Sequence, residues 1–351
     1  MRPFHPIQRF LPHVVRLLVC WGCLTALMPA PPRAPFESPR TVRTQNPEVC
    51  VHTRLIDEVY EWKIQRSLQM VREMGATTIV EFFPWAYAEP QEGQYDWESF
   101  DRIARHAKNQ GLQVIARMGL VPAWARADGS ERATTLNYLP DDSFDAFATF
   151  VATFAARYAG VMDHIIIWNE PNLAAEWSRS GGNLEDHWAR FDGWVANPAD
   201  YVGVLGAAFR QIRAVDPQAL VVGGGLAPTN ELSPRAVDDR VFLEQLWAVG
   251  MADCLDVLAV HAYGFGLSPD APDDVHQNLN LGRIADLHEI NQAAGVAKPI
   301  WITELGYTVV AGSQTAVSEV QQADYLLAAK ARAAEEWPWV ELFTVWNLVY
   351  G

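Results

Sequence analysis

Eight short apolar runs punctuate the chain, at residues 49–53, 77–83, 113–119, 164–169, 219–224, 256–261, 299–304 and 342–347. Each is rich in β-branched or aromatic side chains, the pattern of a strand buried on both faces. Amphipathic stretches separate them. Ile64, Leu68, Val71 and Met74 recur at helical spacing, as do Phe147, Phe150, Val151, Phe154 and Tyr158, and again Tyr201, Val204, Leu205, Ala208 and Ile212. Asp141 or Asp142 and Asn197-Pro198 read as helix starts; Gly75, Gly160 and Asp216-Pro217 read as stops. Eight strands with crossovers of this length predict a parallel (β/α)8 TIM barrel over residues 48–351. A doubly wound open sheet is the other fold for such alternation, but no glycine-rich phosphate turn follows the first run. The sequence stops at Gly351, directly after the eighth run, so the eighth helix is missing from it. Either the chain is a fragment, or another segment covers that side of the barrel, for which the apolar stretch 10–28 is the candidate.

Residues 1–30 read as a secretory signal. Arg2, Arg9 and Arg16 lead into the apolar stretch 17–28, which is too short to span a bilayer and is broken by Pro29, Pro31 and Pro32. Cleavage fits after Ala30 or Ala34; a lipid anchor at Cys23 and an internal apolar helix are the other readings. Residues 31–47 form a Pro-rich linker. The expectation is a secreted or extracytoplasmic protein, with or without an N-terminal membrane anchor.

Net charge is −15, and the first 46 residues hold six Arg and one Glu, so the remainder carries 21 basic and 41 acidic side chains, a net −20. That balance argues against nucleic acid or an anionic membrane as partner and against a strongly anionic substrate. Cys50 and Cys254 are the cysteines beyond the leader; on the first and sixth strands, which are not neighbours, they are expected as free buried thiols. No metal-ligand spacing occurs, and no cofactor is expected. Oligomeric state is left open.

In a barrel of this kind, chemistry sits where strands end and the following loops begin. Strand two ends in Glu81, with Pro84, Trp85 and Tyr87 beyond; strand three ends in Arg117, with Trp124 in its loop. Strand four ends in Trp168-Asn169-Glu170-Pro171-Asn172, strand six in His261-Ala262-Tyr263, strand seven in Thr303-Glu304-Leu305-Gly306-Tyr307, and strand eight in Trp346-Asn347. Glu170 and Glu304 therefore face each other across the barrel mouth. Two carboxylates converging on one bond are what glycoside cleavage needs, one to protonate the leaving oxygen and one to attack the anomeric carbon.

WNEPN at 168–172 and ITELGY at 302–307 resemble the acid/base and nucleophile motifs of the clan A retaining glycoside hydrolases. PWAYAEPQEGQYDW at 84–97 resembles the second βα loop of that clan. NEPNL followed by Trp177 is similar to the β-xylosidase and α-L-iduronidase family, whereas TELGY is closer to cellulase-like members. The resemblance covers roughly residues 50–350. It implies Glu170 as general acid/base, Glu304 as nucleophile, and Asn169 as the partner of the sugar 2-hydroxyl. It also implies that Tyr263, in the His-x-Tyr of His261 and Tyr263, steadies the nucleophile and that Trp346 floors the sugar site. An ionised Glu304 close by is expected to keep Glu170 protonated near neutrality. Many clan members carry an Arg on strand two that hydrogen-bonds the nucleophile. Here that strand reads Thr77-Thr78-Ile79-Val80-Glu81, and Arg117 on the next strand is expected to take its place, paired with Glu81; a purely structural Arg117–Glu81 ion pair is the other reading.

Trp62, Trp97, Trp247, Trp337 and Trp339 fall on or beside helices and read as packing. Trp85, Trp124, Trp177, Trp188 and Trp346 fall in or beside βα loops, where about half are expected to stack on sugar. The fourth loop, about 172–197, holds Trp177, Trp188 and Trp194 and is the candidate specificity loop. The function that follows is a retaining β-glycosidase acting on neutral oligo- or polysaccharides. A non-catalytic glycan-binding TIM barrel is the alternative, which has no need of both Glu. A metal-dependent barrel hydrolase would need more ligands than His261 and two Glu. An unstable truncated product is the fourth reading, raised by the missing helix.

Overall fold

The computed structural model describes residues 42–126, 139–177, 196–233, 235–272 and 279–348. Eight parallel strands close into a barrel in the order in which they occur along the chain. They are β1 (Val49–His52), β2 (Thr78–Pro84), β3 (Gln113–Gly119), β4 (His164–Ile167), β5 (Leu220–Leu226), β6 (Val257–His261), β7 (Ile300–Leu305) and β8 (Val340–Val345). Closure comes from β1 pairing with both β2 and β8. Seven long helices follow the first seven strands: α1 (Glu61–Glu73), α2 (Glu98–Gln110), α3 (Phe144–Tyr158), α4 (Pro198–Val215), α5 (Asp239–Ala248), α6 (Arg283–Ala293) and α7 (Glu319–Glu336). A short helical turn, Trp85–Ala88, sits between β2 and α2.

The helix stripes bury as their spacing demands. All five named apolar residues of α3 and all five of α4 are in the core. Met74, counted in the first stripe, is instead 56% exposed, because it caps α1 beyond its last buried turn. Asn197 caps α4 by accepting from the Ala199 amide, with Pro198 at the first helical position. Ser318 and Gln321 make a reciprocal capping box at the start of α7.

Two apolar layers hold the barrel. Val80, Ile115, Ile166, Val222, Val257, Ala259 and Trp301 fill its interior. A larger cluster lies between strands and helices, with Ile79, Phe83, Ala116, Met118, Ile165 and Ile167 on the outer strand faces. Strand side chains alternate between the two layers, so the parity of a residue decides whether it can reach the mouth.

Among the described residues no helix follows β8. The helix beside that position, α7, buries only Ala329 and Ala333. The leader at 1–30 and the stretch 10–28 offered as cover for the gap lie outside the described residues, as do Trp188 and Trp194 of the fourth loop. No described helix is long and apolar enough to cross a membrane. Cys50 and Cys254 are free; Cys254 lies at the end of a helical turn before β6 rather than on the strand.

Candidate active site

The strand ends enclose a cavity of about 570 Å³. Its lining includes His52, Phe82, Tyr87, Arg117, Trp168, Asn169, Glu170, Glu176, Tyr263, Glu304 and Trp346. At the end of β4 the chain makes a tight turn in which Trp168 and Glu170 hold positive φ values of 75° and 39°. Such conformations cost energy in non-glycine residues and persist where neighbours enforce them. Here the Trp168 amide donates to Met118 O on β3 (3.0 Å) and the Glu170 amide to Gly225 O on β5 (2.9 Å). Asn172, fully buried, bonds both ways to the Ala227 backbone at 2.9 Å. The turn thus hangs from both flanking strands, and Glu170 projects into the mouth.

Glu304 comes from the opposite side. Strict alternation from Trp301, which faces the barrel interior, would aim Glu304 outward. The β7–β8 register shifts between Ile302 and Leu305, and the β6–β7 register between Val260 and His261; these irregularities turn the carboxylate into the cavity. One oxygen each of Glu170 and Glu304, and one ring nitrogen of His261, lie within 4.8 Å of one another.

Three strands hold Glu304 in place. Tyr263 Oη donates to Glu304 Oε2 at 2.6 Å, and Arg117 Nη1 donates to Oε1 at 3.2 Å. His52 Nε2 stands 3.9 Å away. Burial, with the Glu304 charge and hydrogen bond beside it, pushes the Tyr263 phenol far up, so Tyr263 stays a donor. Burial, with Arg117 nearby, holds His52 well below the ordinary imidazole range and keeps it neutral. Arg117 Nη1 also donates to Asn169 Oδ1 at 2.6 Å, tying the two carboxylate-bearing loops together.

His261 Nδ1 bonds Glu170 Oε1 at 2.8 Å and lies 3.5 Å from Glu304 Oε2. Burial alone would lower this imidazole, but the Glu304 charge and the Glu170 bond outweigh it and leave it raised. A Cβ on Gly225 of β5 would overlap His261 Nε2, so this strand position requires glycine. Glu170, His261 and Glu304 are also the one metal-spaced set of ligating side chains among the described residues.

Several expected site residues lie elsewhere. Arg117 and Glu81 do not pair. Arg117 stands opposite Phe82 in the β2–β3 register, whereas Glu81 is opposite Ala116 and faces the β1–α1 loop. There Glu81 accepts from Thr53 Oγ1 (2.6 Å), the Leu55 amide (2.9 Å) and the Ile56 amide (3.3 Å), fully buried. It borders the cavity wall but anchors a loop. Arg117 instead stacks over Phe82, 5.0 Å from the ring centroid. Trp85 is also fully buried, edge-on to Trp124 and bonded to Glu89 Oε2 at 2.6 Å. Trp177 packs at 5.1 Å against Trp168 and 6.0 Å against Tyr201. Both are core rather than sugar platforms. Of the loop tryptophans expected to stack, Trp346 lines the cavity, edge-on to His52 at 4.4 Å.

His52 and Glu176 are among the lining residues that were not anticipated. His52 ends β1, where a strand-end inventory would have found it. Glu176 lies six residues after Glu170, between Ala175 and Trp177, and a lone acid in an apolar stretch is its only sequence signal. Burial pushes its carboxyl up to about 7, aided by the Glu170 and Glu304 charges and opposed by Arg117 and a hydrogen bond from Asn169. A carboxyl raised in the fold favours folding when protonated, so its stability contribution is lost as pH rises from about 4.5 through about 7. Glu176→Gln should therefore gain stability relative to wild type across that window, by on the order of 3 kcal/mol. Chemical denaturation over a pH series measures this; a gap that does not change with pH would contradict it.

Comparisons with known proteins agree with the barrel fold. The family model of glycoside hydrolase family 42, described as β-galactosidase, matches residues 56–134. A β-galactosidase of Xanthomonas manihotis is 33% identical over 95 residues, covering 23% of this chain and 15% of that protein. A family 39 glycoside hydrolase from Bacteroides cellulosilyticus WH2 superposes with a TM-score of 0.63 at 17% identity, covering 89% of this chain and 58% of the other. A monomeric β-xylosidase from Caulobacter crescentus CB15 gives a TM-score of 0.60 at 18% identity, covering 88% and 62%. The chain thus spans about three fifths of the length of these two structures. The chain shares the (β/α)8 barrel fold of these glycoside hydrolases.

Proposed function

We propose that the protein is a retaining β-glycosidase that cleaves O-glycosidic bonds of oligo- or polysaccharides. The observation that carries this reading is the approach of Glu170 and Glu304 oxygens to within 4.8 Å across the barrel mouth. Retaining enzymes place their carboxylates about 5–5.5 Å apart, inverting ones about 6.5–9.5 Å to admit a water between them. Glu304, fixed by Tyr263 and Arg117, attacks the anomeric carbon as the glycosidic C–O bond breaks. Glu170 gives its proton to the leaving oxygen, then takes one from the water that releases the sugar from Glu304. His261 bonds Glu170 and lies close to Glu304, so it can offset charge as it moves between the two. The N-terminal segment supports an extracytoplasmic place of action.

A panel of activated aryl β-glycosides tests the reading. Residues 47–351 should hydrolyse at least one of them with retention of anomeric configuration, as followed by NMR, and Glu170→Ala should slow glycosides with poor leaving groups about a hundredfold or more. Inversion would overturn the retaining mechanism, and no turnover of aryl glycosides or polysaccharides by folded protein would favour a glycan-binding barrel instead.

A further inference from the structure

Among the described residues four non-glycine residues hold positive φ: Leu120, Trp168, Glu170 and Phe265. The first three line the cavity, and strain of this kind gathers at working sites. Phe265 is the fourth and lies outside that lining, on the loop after β6. Its φ is 46°, and that of the following Gly266 is 86°. The Leu267 amide donates to Gly264 O at 2.8 Å across the pair. Two successive positive φ values inside such a bond are the signature of a type I′ turn, whose central positions belong to Asn, Asp and Gly. A bulky phenylalanine there is costly. The turn is wedged in place: a Cβ on Gly264 would stand 2.7 Å from the Tyr307 ring, and one on Gly266 3.0 Å from Thr315 O. The fold gains little from the aromatic ring in return, since Phe265 is 42% exposed and outside the apolar core.

We infer that Phe265 is the platform for the leaving group, a sugar unit whose apolar face lies on its ring, so that the substrate continues beyond the cleaved bond as an oligo- or polysaccharide. This rests on the glycosidase reading and adds a second subsite to it. Tyr263, whose hydroxyl bonds Glu304, lines the cavity on the β6 side. Phe265 stands one ring further out, its centroid 6.2 Å from that of Tyr263. Across the barrel, Asp57 and Tyr87 line the opposite wall and bond each other at 3.0 Å. A sugar seated between that wall and Glu304 directs its glycosidic oxygen toward Glu170, which His261 ties to β6. The departing unit then lies over the loop that carries Phe265. An exposed aromatic ring offers apolar area to the C–H face of a sugar with no polar group to desolvate. A turn wedged between Tyr307 and Thr315 holds that ring ready, so little ordering is needed on binding.

The test compares substrates that share a sugar at the cleavage point and differ in what leaves: cellobiose with β-glucosyl fluoride, lactose with β-galactosyl fluoride, and xylobiose with β-xylosyl fluoride. Fluoride has no ring to stack. For the pair that wild type accepts, Phe265→Asn should lower the kcat/KM ratio of disaccharide to fluoride by about tenfold or more, and Phe265→Tyr should restore it. Phe265→Asn creates the Asn-Gly pair that a type I′ turn prefers, so its thermal midpoint should stand at or above that of wild type. An unchanged ratio would overturn the inference, as would an equal loss on both substrates, which would mean that Phe265 acts through Tyr263. Cleavage of fluorides but of no disaccharide by wild type would overturn it too, and each of these outcomes leaves the glycosidase reading intact. If nothing is cleaved, that reading fails, and calorimetry with cellotetraose and xylotetraose decides the platform alone. Binding by wild type that is lost in Phe265→Asn would uphold it; equal binding, or none, would remove it.

Discussion

Glu304→Ala will lose at least about a thousandfold in kcat on an activated aryl β-glycoside while keeping its circular dichroism spectrum. Among the described residues the carboxylate is the group on its side of the cavity placed to attack, and Tyr263, Arg117 and His52 are arranged around it. Truncation leaves a small space lined by donors. Azide can enter it and attack from the face opposite the leaving group, so rescue should yield a glycosyl azide of inverted configuration. In Glu170→Ala the space opens on the leaving-group side, and azide rescue there should give the retained product. Swapped stereochemistry between the two variants would reverse their roles.

The largest effect on stability is expected at a distance from the chemistry. Arg283, the first residue of α6, has its guanidinium almost fully buried. It donates through Nε to both oxygens of Asp239 (2.8 and 3.0 Å), through Nη1 to Asn230 and through Nη2 to Thr229 O, both at 2.7 Å. Asp239 starts α5, with its side chain 1% exposed. Asp239→Ala strips the buried guanidinium of its Asp239 bonds and leaves Asp238, 3.0 Å from Nη2, as its remaining carboxylate, at a cost of about 3 kcal/mol. The thermal midpoint should drop by roughly 10 °C, since each kcal/mol moves a chain of this size by a few degrees. Asp239→Leu with Arg283→Leu removes both charges and should cost much less than the sum of the single changes. Additivity in that double variant would show that the pair is not coupled.

Most of the barrel was legible in the sequence because a strand buried on both faces must be apolar on both. The eight runs coincide with β1–β8 to within about two residues at either end. The strand-end motifs were legible for the same reason: a polar residue closing an apolar run has few places to go except the mouth. Parity was what the runs concealed. Nothing in Glu81-Phe82 beside Ala116-Arg117 says which member faces inward until the register is known, so an acid and a base one step out of phase looked like a pair. Trp85 and Trp177 were misjudged because a loop tryptophan that plugs the gap beneath its own loop reads the same as one that faces solvent. Glu176 was missed because a turn, unlike a helix or strand, has no period from which direction can be inferred.

Cys50 lies on the strand that closes the barrel, between β2 and β8. Its thiol is fully buried, and burial pushes it up to about 12, so in the closed barrel it is neither accessible nor ionised. It can meet a reagent only when that seam parts. Its labelling rate is then a clock for local opening, with half-buried Cys254, away from the seam, as an internal standard in the same peptide map. A ligand that grips several strand ends at once should slow the first thiol and leave the second nearly alone.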